Sequence, residues 1–243
     1  MRYWSLTDPG CARTQNQDAC QVEKLDRNTL LCVVCDGMGG AKSGNVASSL
    51  ALDVFIQEIK RTWVRDMDEI AVDQMLSSAV KLANFTVYDQ AKQFTEFTGM
   101  GTTLVAVLIR GKLATIVNVG DSRVYHIDGE GIRQLTIDHS LVQMMIHRGE
   151  LKAEQAKSYP GKNLITRAIG TEPVVNCDIF HKKVNSGDCL LLCSDGLSNL
   201  LDDQEILFEV VHGDRKEDCC QRLLNIAKNR EAPDNVTSIL VEI

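Results

Sequence analysis

The chain has 243 residues, 44% hydrophobic and 24% charged, the balance of a folded globular protein and neither a disordered nor a membrane-embedded one. Its 26 Lys and Arg against 33 Asp and Glu leave a net charge of -7, which offers no electrostatic footprint for nucleic acid or for an anionic membrane. No apolar run approaches the length a bilayer needs, residues 1–10 lack the pattern of a signal peptide, and nine cysteines, an odd number set mostly in apolar segments, fit reduced thiols in the cytoplasm better than a disulfide framework.

In chain order, residues 1–8, 19–25 and 29–35 read as strands, the third buried on both faces. Val46, Leu50 and Val54, flanked by Ala47, Ala51 and Phe55, mark an amphipathic helix that opens after Ser43 and Gly44. Met75, Ala79, Leu82, Ala83, Val87 and Phe94 mark a second. Strands at 102–109, 113–119 and 123–127, separated by Gly111 and by Gly120-Asp121, suggest an antiparallel meander. Residues 138–170 are mixed, with a short helix near 141–148 and a polar stretch at 156–163 that reads as mobile. Strands follow at 174–184 and 189–193, then helices at 202–211 and around Cys219, Cys220, Leu223, Leu224 and Ala227, then a last strand at 237–243. No Pro/Gly/Ser-rich linker or block of like charge divides the chain, so one domain over 1–243 is expected. Runs of strands interrupted by two pairs of helices give an α+β class, antiparallel sheets covered by helices.

Chemistry gathers at strand ends. Asp36 in LLCVVCDGMGG and Asp195 in CLLLCSDGLSN each close an apolar run and precede a glycine. A hairpin turn is the simple reading of such a pair, but both lead into helical spacing, at 43–59 and 202–211. A strand that pushes a carboxylate out at a glycine turn is a way to build an oxygen-ligand metal site. Asp18 in RTQNQD, Asp121 in VNVGDSRVY and Asp234 in EAPDNVT have similar positions beside strands; singly, Asp121 and Asp234 suit turns. Hard carboxylates without converging His or Cys favour magnesium or manganese over zinc. A two-metal site binds the attacking and the leaving oxygen of a phosphate displacement. Arg13 is the nearest planar fork for phosphate oxygens, although a surface ion pair is its simpler role. The C-x-x-C of Cys32 and Cys35 lies inside a strand, with no second ligand pair at metal spacing.

Eight blocks in order, TDPGCARTQNQDA (7–19), VVCDGMGGAKSGNVAS (33–48), GMGTTL (99–104), VGDSRVY (119–125), LTIDHSLV (135–142), ITRAIG (165–170), LLCSDGL (191–197) and PDNVT (233–237), resemble the metal-dependent protein phosphatases of type 2C in their bacterial form. The resemblance implies an αββα sandwich of two antiparallel sheets flanked by helix pairs, with a dimetal site at one end. It implies that Asp36 bridges two Mn2+ or Mg2+ ions, with the Gly37 carbonyl on one of them and Asp195 and Asp234 on the other. Asp121 with Asp195 would form a weaker third site. Asp18 would hold metal-bound water, Arg13 the phosphoryl group, and residues 138–170 would contain a flap bearing on substrate choice. The implied activity is hydrolysis of phosphoserine and phosphothreonine in proteins by metal-bound hydroxide, without a phosphoenzyme. The implied partners are phosphorylated proteins, a bacterial Ser/Thr kinase and its substrates, met by a monomer.

The sequence also departs from the family. Asn16-Gln17-Asp18 stands for Asn-Glu-Asp, Ala41 for a His, Asn45 for a Glu, and Met38 for the His that eukaryotic relatives use as general acid. Gln17 is the one feature that supports a catalytically silent, phosphoprotein-binding regulator instead. DGMGGAKSG (36–44) nearly mimics the phosphate loop of a nucleotide hydrolase, but Asp36 and Ala41 replace its two glycines.

Overall fold

The structure, a computed structural model, describes residues 1–39, 43–156 and 159–243. Two antiparallel sheets stack face to face. One has the order β1 (Arg2–Asp8), β11 (Val236–Glu242), β10 (Cys189–Cys193), β7 (Arg123–Asp128), β8 (Gly131–Gln134). The other runs β2 (Asp18–Asp26), β3 (Thr29–Met38), β5 (Leu104–Arg110), β6 (Leu113–Val119), β9 (Asp178–Lys183), with the two-residue β4 (Gly101–Thr102) paired to the end of β3.

The near-continuous apolar strands follow from burial on both faces. Leu30, Cys32 and Val34 of β3 meet Leu190, Leu192, Ile239 and Val241 between the sheets. Leu31, Val33 and Cys35, one residue out of phase, face helices α1 (Gly44–Thr62) and α2 (Glu69–Gln93). Successive side chains of a strand point to opposite faces, so both sets must be apolar. Phe55 of α1 is fully enclosed in this layer, worth roughly 1.5–3 kcal/mol of apolar burial. On the other side α6 (Asp203–His212) and α7 (Cys219–Asn229) cover Leu191, Cys193 and Leu240. Asp68 caps α2 by accepting from the Ala71 N–H, and Asp202 with Glu205 forms a capping box on α6. The fold is thus the αββα sandwich that the motif blocks imply. Among the described residues no helix is long and apolar enough to cross a membrane.

Three local expectations need correction. The strand stretches at 102–109, 113–119 and 123–127 do not form one meander: β5 and β6 pair, but β7 pairs with β10 and β8 in the other sheet. The chain therefore changes sheets at Gly120-Asp121. Asp36 does not sit in a turn, because β3 continues through Gly37 and Met38 by pairing with Thr102 and Gly101. The strand expected from 174 starts at Asp178, opposite Asn118, where β6 is about to end and no neighbour remains. Short β8 and the helices α3 (Leu141–His147), α4 (Ala153–Ala156) and α5 (Asp195–Ser198) complete the fold; of these, only α3 is visible in the sequence. Ala41 and Lys42, and residues 157–158 of the polar stretch, lie outside the described residues.

Candidate metal centre

Five carboxylates reach one end of the sandwich from both sheets. Asp18, the first residue of β2, stands opposite Asp36 on β3. Neighbouring strands β10 and β11 supply Asp195, two residues past Cys193, and Asp234, two residues before Val236. Asp121 joins them from the crossing between sheets. Asp18 and Asp121 are each 8% exposed, whereas Asp36, Asp195 and Asp234 keep an edge in solvent.

Side chains not singled out in the sequence hold these acids in place. The Asp36 N–H donates to Thr103 Oγ1 (2.9 Å), and the Asp36 carbonyl accepts from Thr102 Oγ1 (2.9 Å) and the Thr103 N–H (2.9 Å). Thr103 Oγ1 also meets Ser122 Oγ at 2.8 Å, beside Asp121. Ser194 Oγ donates to Asp18 Oδ2 (2.8 Å) and accepts from the Thr237 N–H (3.0 Å), tying the two sheets together at this point. Asn235 donates to the carbonyls of Pro9 and Gln15 and accepts from the Gln17 N–H at 2.8 Å, fastening the Arg13 loop to the start of β11. All of these positions fall inside the motif blocks, which was the signal available for finding them.

Glycine is required after both acids because other chain segments press against it. A Cβ on Gly37 would overlap the Gly44 carbonyl at the start of α1 and lie 2.5 Å from the Gln17 carbonyl; one on Gly196 would overlap the Asn235 carbonyl. The Gln17 side chain itself lies against Gly44. Arg13 Nη2 donates to Asp234 Oδ2 at 3.0 Å, both side chains about half exposed. This is the ion pair that its surface position suggests, made with a candidate ligand.

The acids act on one another electrostatically. Burial pushes Asp18 up to about 6, with Asp195 and Asp234 adding to the rise. Burial and then Asp195 and Asp138 push Asp121 up to about 7. Asp36 is held well above the usual carboxylate range by burial and by the charges of Asp18, Asp195, Asp121 and Asp234. Asp195 is raised by burial and Asp234, against a hydrogen bond with Asp36 and one from Asn199. Excess negative charge in a desolvated place is what a bound cation offsets. Among the described residues no three His, Cys, Asp or Glu side chains are drawn together as tightly as a ligand shell, so the carboxylates are neighbours and not a closed cage. Two of its oxygens, Asp18 Oδ1 and Asp121 Oδ1, are buried without a hydrogen-bond partner. Unsatisfied hard oxygens among like charges fit Mg2+ or Mn2+.

A cleft of about 410 Å³ runs from Asp121 and Asp195 to Lys162 and Asn163 within residues 138–170. Cys32 and Cys35 are both fully buried and face opposite sides of β3, so they form no metal or redox pair, and all nine cysteines are free thiols. The antiparallel pairing of β3 on both sides removes the parallel strand–loop–helix unit on which a nucleotide phosphate loop is built.

Residues 12–240 match the family model described as Protein phosphatase 2C. The serine/threonine phosphatase stp of Listeria monocytogenes is 35% identical over 237 residues, 97% of this chain and 93% of that protein. The crystal structure of the serine/threonine phosphatase Stp1 from Staphylococcus aureus superposes with a TM-score of 0.94 at 37% identity, covering all of this chain and 95% of its own. The catalytic domain of the serine threonine protein phosphatase PstP, solved with two manganese ions, gives a TM-score of 0.85 at 30% identity, covering 99% of this chain and 97% of that one.

Proposed function

The chain belongs to the protein phosphatase 2C family and is a serine/threonine protein phosphatase, and on that premise we propose how its residues divide the work. The reaction depends on Mn2+ or Mg2+. Asp36, the Gly37 carbonyl, Asp195 and Asp234 would hold two ions, and Asp121 with Asp195 would hold a third, weaker one. When bound, the ions supply a water acidic enough to attack phosphorus near neutral pH and counter-charge for the phosphoryl oxygens.

The protein's own part is positioning and charge. Asp18, with one oxygen fixed by Ser194 and the other unpartnered, accepts a hydrogen bond from the attacking water and orients it in line. Arg13 releases Asp234 and turns its two-pronged guanidinium to the phosphoryl oxygens. The buried walls keep these charges in low dielectric, where they act strongly on the transition state. Residues 138–170 form the flap beside the cleft, and residues 1–243 act as one catalytic domain, supported by the pairing of the first strand with the last.

The substrates are phosphorylated proteins, and the opposing enzyme is a Ser/Thr kinase. One chain provides every residue of the site, which supports action as a monomer, and nine free thiols support a reducing, cytoplasmic setting. The single observation that carries the proposal is the gathering of four carboxylates around Asp36, each raising it, with two unsatisfied oxygens among the five. The test is hydrolysis of a phosphothreonine peptide with Mn2+, with Mg2+ and with chelator. Wild type turns over only with metal, and Asp36→Ala loses roughly 10³-fold in kcat while staying folded. Turnover in chelator, or a fully active Asp36→Ala, would overturn the assignment.

A further inference from the structure

Asp121 stands on a turn whose position is set from outside it. Gly120, at φ +113°, has its N–H donating to His139 Nδ1 (3.0 Å) and its carbonyl accepting from the His139 N–H (2.9 Å) and from Asn118 Nδ2 (3.2 Å). His139 thus grips Gly120 by both its backbone N–H and its backbone carbonyl, one on each of the two peptides that flank its Cα. Because Nδ1 accepts, the neutral ring carries its proton on Nε2, which points to Asp178 Oδ2 at 3.1 Å. Arg167 donates to the other oxygen of the same carboxylate at 2.7 Å. The His139 carbonyl accepts from the Thr166 N–H at 2.7 Å, and the bridge between Ser140 and Ile165 lies one residue further on. One residue, 7% exposed, therefore joins the Asp121 turn, the start of β9 and both roots of the 138–170 segment. Asp121 Oδ1 has no hydrogen-bond partner of its own, so the backbone beneath the carboxylate is what places it.

We infer that His139 is a positioning residue for the Asp121 carboxylate, holding Gly120 so that Asp121 and Asp195 serve one divalent cation together. The inference rests on the metal roles proposed above, and neither His139 nor its ring nitrogens touch the reacting atoms. Partners one layer behind a metal ligand typically govern about 10- to 100-fold of its affinity.

The test is calorimetric titration of Mn2+ into the metal-stripped full chain for wild type, His139→Ala and His139→Asn, with the melting temperature of each. Asn can place its side-chain oxygen where Nδ1 stands and accept from Gly120, while losing the reach to Asp178. The weakest Mn2+ affinity falls at least about tenfold in His139→Ala and returns to within about threefold of wild type in His139→Asn, with the tight affinities unmoved in both. A purely structural role would lower both melting temperatures and leave the weakest affinity alone. An unchanged weakest affinity in folded His139→Ala overturns the inference, as does a tenfold loss in His139→Asn, which decides the matter even if the Ala variant does not fold. A wild type that binds no Mn2+ at all would instead sink the metal reading together with this one.

Discussion

The floor of the cleft and its rim are built on opposite plans. On the floor, Asp36 lies inside a strand, its N–H and carbonyl clamped by Thr102 and Thr103, and Asp18 is fixed by a hydroxyl from the other sheet. On the rim, the described residues of 138–170 carry only the short helices α3 and α4, and Leu164 stands more than half exposed. The rim is secured at its roots, by the Arg123–Asp138 ion pair (2.6 Å) and by the hydrogen bonds of His139 and Arg167 to Asp178. On the function proposed above, a rigid floor suits a phosphoryl group that is the same in every phosphoprotein, and a looser rim suits flanking chains that differ from one substrate to the next.

The comparison breaks most sharply at Gly37. Because its Cβ would overlap the backbone of α1 and crowd that of Gln17, which cannot give way as a side chain can, Gly37→Ala should cost more than about 3 kcal/mol and abolish turnover. Chemical denaturation with an activity assay checks this, and a stable, active variant would mean that α1 can shift without disturbing the floor.

A second, intermediate effect is pH dependence of the metal-free protein. Asp18 and Asp121 are raised to about 6 and about 7, and Asp36 and Asp195 are raised as well. Between the unfolded carboxylate value near 4 and these values, the folded chain binds more protons than the unfolded one. Stability in chelator therefore falls as pH rises from about 4 to about 7. Acids with lowered values, such as Glu23 and Asp26, act in the opposite sense but lose their contribution only below about 4. Melting temperatures in chelator should decline across that window, and Mn2+ should restore the loss at the upper end. A flat profile, or one that rises with pH, would show that the carboxylates are better solvated than their burial indicates.

The smallest effect belongs to the rim. Leu164→Ser removes an exposed side chain, so stability should move by less than about 0.5 kcal/mol. Any change in activity should appear in KM for protein substrates, with turnover of a small phosphomonoester untouched. A loss with the small substrate would show that the rim bears on the chemistry.

Legibility in the sequence follows the same division. Strands buried on both faces were readable because every side chain in them must be apolar, as in β3 and β10. Helix α6 was readable from the helical spacing of 202–211, and its capping acid appeared only in the structure. Four-residue β8, with Ile132 its one apolar side chain, is too short to carry such a signal. The acids themselves were visible as carboxylates beside glycines and strands, but Thr103, Ser194, Asn235 and His139 were not, since a hydroxyl, amide or imidazole reads alike whether it points to water or grips a peptide.

By itself the sequence determined the α+β class and the family and singled out five carboxylates beside strands, because burial periodicity and motif order are local properties of the chain. Only the tertiary structure decided that the chain changes sheets at Asp121, that β3 runs on past Asp36, and that the charges meet at one end. Strand pairing is a contact between segments up to 240 residues apart, and no local pattern specifies which edge will find which partner.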